Sequence, residues 1–595
     1  MENKGMDRNT IIGMLLIGGI FLFFYFFNKP NAELEQTPNK VDSTEIVEET
    51  KQLEEVNNNQ LDSVVVDSNQ LFAPATAASE ELFTLENKFL EVVISSNGGQ
   101  IVQARLKKYQ TYDSLPLYLI NKNADFNIAI NGDRPMNTAD LVFAGVQNSD
   151  NKVTMTLDAG SGKSLTYVYT IEPDNYMLGW DVVSSGMGNM LPQDGGLQWE
   201  MKTLRQEKNI ETENTVTELE YRFANEDDMD NLSGSGDDSE EVQNIKWLAY
   251  KQQFFSSILI NKNADFEKAG LASKTIEGSE EFTKLLVSKV SLNSTAGDVN
   301  SSFGLYLGPN KYEVLESYEQ GFEELIPLGW GILGWINRGI VINLFNWLEG
   351  YGLNYGLIIL AIALLIKIIL FPFTYASYRS MAKMRVLKPE IDELNEKYKD
   401  KDPMKKQQAT MELYRKAGVN PLGGCIPMLF QMPILIALFR FFPASIELRQ
   451  QPFLWAHDLS TYDSIYDLPF NIPFYGDHVS LFTLLMTVST LIYTYMNQQL
   501  TGSNNQMPQL KYMMYLMPVV FLGVFNNYAA GLSYYYFVAN VITFGQQFAI
   551  RAFLDDDKIH AKIQEKKAQP KKENRFMRRM REVQEEQNRQ ARRKK

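Results

Sequence analysis

The chain has 595 residues and a formal net charge of −15, but residues 31–330 alone carry −27 and the remainder +12. A single cysteine (Cys425) excludes an intrachain disulfide, a Cys-based zinc site and a CxxC redox motif. Three histidines, no two at i, i+4, argue against a His-ligated metal enzyme, and the acidic excess argues against nucleic-acid binding by 31–330.

Residues 11–27 (IIGMLLIGGIFLFFYFF) form an uncharged run of 17, long enough to span a hydrocarbon core of about 30 Å. Lys4 and Arg8 precede it and no small-x-small cleavage site follows closely, so 1–30 reads as an uncleaved signal anchor. Residues 31–81 read as an acidic disordered tether. From 82 to 325, short alternating runs such as FLEVVIS (89–95), QIVQARL (100–106), VTMTLD (153–158) and LTYVYTI (165–171) predict an all-β, sandwich-like domain. Inside it, segment 211–241 has 12 acids against one Arg and reads as a solvated loop. GSGKS (160–164) resembles a phosphate-binding loop, but Leu157 stands where the first Gly is needed, so a hairpin turn is expected. DDMDN (227–231) fails as a calcium loop because Ser233 stands where Gly is required.

Residues 331–350 (GILGWINRGIVINLFNWLEG) have a weak polar stripe at Asn343, Asn346 and Gly350 and predict an interfacial amphipathic helix. A region over 353–554 holds five apolar spans, at 353–373, 422–442, 479–496, 512–527 and 528–550. The last two are nearly continuous and require a tight turn near Asn526–Gly531. With 11–27 the count is six transmembrane helices. Segment 375–421 carries net +4, segment 441–478 net −4 and tail 555–595 net +7. Basic segments stay in the cytoplasm, so both termini are expected there, with 31–330 exported. Segment 376–419 predicts a helical hairpin broken at Asp400–Pro403, and 555–595 a basic cytoplasmic tail.

Lys367 lies six residues from the cytoplasmic end of its span, about 9 Å deep. Snorkelling and a cation facing a wet cavity are both open for it. Gln431 sits mid-span between Pro427 and Pro433, and prolines free backbone carbonyls that need a partner. Asn540, Thr543 and Gln547 share one face of the last span, with Tyr536 a turn earlier and Tyr535 beside it. Such a face lines a hydrated cavity or bonds across helices in a dry bundle. No Asp, Glu or His lies within a span, which leaves an intramembrane protease without catalytic groups.

The strings MAKMRVLKPEIDELNEKY (381–398), NPLGGCIPMLFQMPILIALF (420–439), ELRQQPFLWAHDLS (447–460) and AAGLSYYYFVANVITFGQQF (529–548) together resemble the YidC family of bacterial membrane protein insertases. SSNGGQIVQARLKKY (95–109) and WLAYKQQFF (247–255) are similar to that family's periplasmic β-supersandwich. The resemblance covers about 82–560 and implies an inner-membrane, multi-pass protein with a five-helix insertase core. It further implies a hydrated groove holding one positive charge, an arginine in most relatives and Lys367 here. Gln431, Tyr535, Tyr536, Asn540, Thr543 and Gln547 would line it, and Met428, Leu435, Leu516 and Val520 would form a hydrophobic slide for the substrate helix. Implied partners are nascent membrane proteins, the lipid bilayer, the Sec translocon, and the ribosome through tail and hairpin. A working monomer, no cofactor and no chemical catalysis are implied as well. Departures from the family pattern are Ala363, where some relatives carry Thr, and Ala529-Ala530-Gly531-Leu532, where Pro-Ser-Gly-Leu is usual. The alternatives are a small-solute transporter, which an inverted repeat would favour and none is seen, and a sugar-binding outer domain, for which no paired carboxylates can be assigned.

Overall fold

A computed structural model describes residues 79–568, apart from 132–134, 192–195, 227, 235, 293, 296–297, 399–402, 420–425, 474 and 502–507. The 11–27 run, the tether up to 78, Cys425, the tail beyond 568 and the Met428 side chain lie outside the described residues. The chain divides into two compact units, meeting in sequence at Ile326 and Pro327.

The first unit is a β-sandwich. A four-stranded antiparallel sheet contains Leu82–Glu86, Leu90–Ser95, Ile101–Gln110 and Pro116–Asn121. A second sheet has 15 strands. Strands Ala124–Asn131 and Met177–Ser185 lie seven places apart in it, about 34 Å if the sheet were flat. Yet the rings of Phe126 and Trp180, one on each, meet edge-on at 5.4 Å. The sheet therefore curls over itself, and its inner face holds the aromatic core. Phe126 stacks on Trp199 at 5.6 Å, Trp199 on Tyr250 at 3.9 Å, and Tyr169 on Trp180 at 5.7 Å. Alternation in the sequence produces this face directly: Lys163–Ile171 buries Leu165, Tyr167, Tyr169 and Ile171 and leaves the residues between them half-buried. The expected turn is present, since Lys152–Gly160 pairs with Lys163–Ile171. Ser161 and Gly162 both have positive φ (56° and 77°), as a two-residue hairpin turn requires.

The acidic segment 211–241 is a correction. It is not a loop: it contains α1 (Ile210–Val216), strands Glu218–Phe223 and Met229–Asn231, and the start of strand Asp238–Lys251. Its acids have partners that lie far away or on the main chain. Glu213 is fully buried and accepts from the Gln206 and Glu207 N–H groups and from Gln252 Nε2. Lys251 Nζ lies 2.7 Å from Glu220 and 3.2 Å from Glu218. Burial pushes the Glu220 carboxyl up to about 7, with Lys251 opposing and Glu218 adding to the rise. The unfolded chain loses this proton near pH 4.5, whereas the folded domain keeps it to about 7. Between those values the folded state binds more protons, so stability falls as pH rises through the window. Hydrogen exchange of strand Glu218–Phe223 in the full chain is expected to speed up from pH 5 to 7 after correction for intrinsic rates. Glu220→Gln is expected to flatten that dependence.

The second unit is helical. After the five-residue α2 (Tyr312–Glu316) in the first unit, it starts with α3 (Gly331–Ile336), a π turn (Asn337–Val341) and α4 (Ile342–Glu349). The polar stripe expected on this stretch is a minor feature. Asn343 and Gly350 are exposed and Asn346 half-buried, but Ile332, Trp335 and Trp347 dominate the exposed surface. Then follow α5 (Tyr355–Ile369), α6 (Phe371–Val386), α7 (Lys388–Lys397), α8 (Pro403–Ala417), α9 (Ile426–Ala444), α10 (Leu481–Thr501), α11 (Pro508–Asn526), α12 (Ala530–Phe553) and α13 (Asp556–Ala568).

Among the described residues, no single helix is long and apolar enough to cross a membrane. Two bent pairs pass that test together: α5 with α6 at 59°, and α12 with α13 at 68°. Length is the reason for three of them: α5 has 15 residues, and the apolar stretches of α9 and α11, Leu429–Ala444 and Met513–Asn526, are also too short. The longer α10 and α12 carry polar side chains instead, Ser489, Thr490 and Asn497 on the first and Ser533, Asn540, Thr543, Gln546 and Gln547 on the second. The expected break between the last two spans is present, with α11 ending at Asn526 and α12 starting at Ala530. Its unusual Ala-Ala sequence does not leave it loose. The Ala530 and Gly531 N–H groups donate to the Thr461 and Leu459 carbonyls at 2.7 and 2.9 Å.

Candidate functional site

Lys367 is placed by helical spacing. On α5, Ile359, Ala363, Ile366 and Lys367 are buried, while Leu357, Leu360, Leu364 and Ile368 are exposed. Lys367 thus shares the inner face of its helix and is 6 % exposed. Its Nζ donates to Gln431 Oε1 on α9 at 3.3 Å. Its own carbonyl accepts from Gln546 Nε2 on α12 at 3.0 Å. Three helices meet at this one residue. Pro433 within α9 lacks an N–H, so the turn beside Gln431 has a carbonyl without its helical donor.

The remaining polar residues chosen from the sequence bond elsewhere. Asn540 Nδ2 donates to Ser489 Oγ and Thr490 Oγ1 on α10, both at 3.0 Å. Thr543 Oγ1 returns to the Ala539 carbonyl of its own helix at 2.7 Å. Gln547 Nε2 donates to Tyr378 on α6 and, at 3.4 Å, to Asn497 on α10. Tyr535 is buried against Phe442 and Tyr536, and Tyr536 lies beside Phe525. Of this set, Gln547 alone lines the pocket between α6, α10 and α12, with Tyr378, Arg385, Met496, Arg551 and Leu554. The Oε1 atoms of Gln546 and Gln547 are buried without a hydrogen-bond donor. Ala363, where some relatives have Thr, is fully buried one turn before Lys367.

The apolar residues divide differently. Leu516 and Val520 on α11 are exposed, joined there by Val519 and Val524, while Leu435 on α9 is half-buried. Leu429 and Phe430 are the exposed pair on α9.

Two features of this unit were not legible in the sequence. One is a buried polar cluster at the α10, α11 and α12 ends farthest from the α6–α8 hairpin. Asp463 accepts from Ser480 Oγ, Trp455 Nε1 and the Leu481 and Phe482 N–H groups, at 2.5, 2.8, 2.9 and 3.1 Å. His478 Nε2 lies 2.8 Å from the Asn526 carbonyl, and Thr483 Oγ1 lies 3.0 Å from Ser533 Oγ. The other is α13, which begins inside the segment expected to be a plain basic tail. Asp555 caps it by accepting from the Asp557 and Lys558 N–H groups. Ile559 and Ile563, at i, i+4, enter a cluster with Tyr378, Met381, Leu387 and Val419. Arg385 binds both oxygens of Asp556 at 2.7 and 2.8 Å, and Lys567 lies 2.5 Å from Glu390. The i, i+4 isoleucines after DDD were the available signal. Ile563→Asp is expected to undock α13, read as faster proteolysis at Lys558–Lys567 with α9–α12 unaffected.

The family model for the 60Kd inner membrane protein matches residues 347–557, and that for the YidC periplasmic domain matches 82–342. The chain is 41% identical over 618 residues to the membrane protein insertase YidC of Parabacteroides distasonis, covering 97% of each. It is 40% identical over 588 residues to that of Bacteroides fragilis, covering 95% of each. A galactose mutarotase-like structure from Lactobacillus casei aligns with 38% of this chain and 100% of its own at 12% identity, with a TM-score of 0.26. The family matches account for both units, and the chain belongs to the YidC family of bacterial membrane protein insertases, inner-membrane proteins with a periplasmic β-sandwich domain.

Proposed function

We propose that this insertase acts through a hydrated, positively charged groove between α5, α9 and α12, open to the cytoplasm and closed to the periplasm. The observation that carries the reading is Lys367: an ammonium on the inner face of its helix, with a single uncharged side-chain partner, Gln431, among the described residues. An ammonium held this way attracts a negative charge on an entering segment and lowers the cost of carrying that charge past hydrocarbon. The orphaned Oε1 atoms of Gln546 and Gln547 support hydration, because buried acceptors without protein donors bind water. The Asp463–Ser480–Asn526–His478 cluster supports closure at the periplasmic end. No bond in the substrate is made or broken; the substrate helix leaves sideways along exposed Leu516 and Val520 on α11, with Met428 and Leu435 on α9.

The same reading takes six spans with both termini cytoplasmic, 11–27 being the first. The α3–α4 stretch lies along the outer leaflet, supported by exposed Trp335 and Trp347, since tryptophan favours the interface. The α6–α8 hairpin with α13 receives the nascent chain on the cytoplasmic side. The Sec translocon is an optional partner, the ribosome a contact of the basic tail and hairpin, and a monomer the working unit.

The test is depletion of the protein followed by insertion of a small single-span substrate. Insertion should be lost, and crosslinks from residue 429 or 516 to the substrate helix should form only during insertion. Unchanged insertion after depletion would remove the functional reading; normal insertion without crosslinks would remove the route.

A further inference from the structure

The segment between α9 and α10 carries an element that the insertase reading leaves without a role. Strand Tyr466–Ile472 pairs with Gly476–Val479 to form an isolated two-stranded hairpin. Six of the first strand's seven residues are exposed, on both faces. Tyr466 is 63% exposed and Phe470 61%, and Ile465 and Ile472 are exposed beside them. A two-stranded ribbon with bare aromatic and aliphatic side chains is marginal in water, so something covers it.

We propose that this hairpin lies in the outer leaflet as a lipid anchor, seating its apolar side chains at headgroup depth. Its depth is fixed by its attachment to α11. Asn526 Nδ2 donates to the Tyr475 and His478 carbonyls at 2.9 and 2.8 Å, and Asn527 Nδ2 to the Tyr475 carbonyl at 3.2 Å. Both ends of the return strand are thereby held flat against the end of α11. Gly476 is required there: it has φ 106°, and an added Cβ would lie 2.8 Å from Asn527 Oδ1. The exposed apolar surface of α11, with Val519, Val520 and Val524, ends where the hairpin begins. In the reading above that surface faces lipid, so the hairpin continues it at the boundary.

Charge and backbone favour lipid over a protein partner. Residues 468–476 (LPFNIPFYG) contain no charge, and the flanking Asp467 and Asp477 sit together at the base, where Asp467 pairs with His478 in the ladder. Pro469 removes an N–H donor from a strand that would need it to accept another strand, and Pro473, just past its end, removes one from the turn. The same loss lowers the cost of placing the strand near hydrocarbon, where an unpaired donor is unfavourable. Tyrosine suits the headgroup level, and phenylalanine the acyl boundary just beneath it.

This rests on the membrane placement of α11, which an aliphatic control separates from the proposal itself. In a Cys425→Ser full-length chain, single cysteines at Phe470→Cys, Ile472→Cys, Val520→Cys and Glu241→Cys carry an environment-sensitive fluorophore. The protein is placed in nanodiscs of phosphatidylethanolamine and phosphatidylglycerol containing a shallow nitroxide lipid. Labels at 470 and 472 should lose most of their emission to the nitroxide and little to aqueous iodide, whereas the label at 241 should do the reverse. Quenching of the 470 and 472 labels by iodide overturns the anchor. Protection from both quenchers also overturns it, because a protein surface then covers the strand. Failure of the 520 label to respond to lipid nitroxide would instead remove the placement of α11. The 472 label decides the matter if Phe470→Cys does not fold.

Discussion

Lys367→Glu is expected to abolish insertion of substrates with an acidic exported segment, and Lys367→Ala to slow it at least tenfold. A carboxylate about 6 Å from an ammonium, at an effective dielectric near 20, gains about 3 kcal/mol. That corresponds to roughly a hundredfold in an equilibrium, of which water in the proposed groove would screen part. Reversing the charge replaces attraction by repulsion of similar size. Lys367→Arg keeps the charge, and its planar fork can still donate to Gln431, so activity near the parent level is expected. Gln431→Leu tests whether the partner only positions the ammonium: a smaller loss than with Lys367→Ala is expected. The measurement is complementation under depletion, with two substrates that differ only in an Asp-to-Asn change in the exported segment. The charge role requires the neutral substrate to be nearly indifferent to Lys367→Ala. Full complementation by Lys367→Glu with the acidic substrate would show that the lysine serves packing or topology instead.

Local pattern carried much of the fold. Period-two alternation in 163–171 and a Ser-Gly turn were sufficient to place two strands and the connection between them. Along α5, the alternation of leucines at 357, 360 and 364 with buried Ile359 and Ala363 puts Lys367 inside. The prolines flanking Gln431 marked it as a residue with a special role, but not that Lys367 would be its partner. What escaped the sequence depended on distance or on sparse signals. Segment 211–241 looked like a solvated loop because composition counts acids but does not reveal that Glu220 meets Lys251 31 residues away. Helix α13 has only two buried isoleucines in 13 residues, too few to stand out from a basic tail. The hairpin at 466–479 contains two prolines, which in isolation argue against a strand. The polar face of α12 was legible as a face, but not its division of labour. Asn540 turns to α10, Gln546 to α5 and Gln547 to α6. Helical spacing does not specify which neighbour each side chain will meet.

Asp463→Ala is expected to destabilise the helical unit by about 3–5 kcal/mol, the largest stability effect of any single change outside its apolar core. The carboxylate is 4% exposed and accepts four hydrogen bonds, two of them from the first N–H groups of α10. Those N–H groups have no partner within the helix, and their partial positive charge favours an anion at this end. Removing the carboxylate also orphans Trp455 Nε1, and Ser480 loses one acceptor while retaining contact with Thr483. Ser480 in turn receives an Asn526 oxygen on its N–H, and Asn526 binds the hairpin and His478. A defect at 463 therefore reaches the ends of α10 and α11 together. Asp463→Asn keeps one oxygen but sets an NH₂ group against remaining donors, so an intermediate loss is expected, ordered Asp, Asn, Ala. Thermal unfolding in detergent should follow that order. Hydrogen exchange should localise the change to residues 478–486 and 524–528 and leave the periplasmic sandwich untouched. Unchanged melting of Asp463→Ala, or exchange that rises equally in both units, would mean that the carboxylate is not what holds these helix ends together.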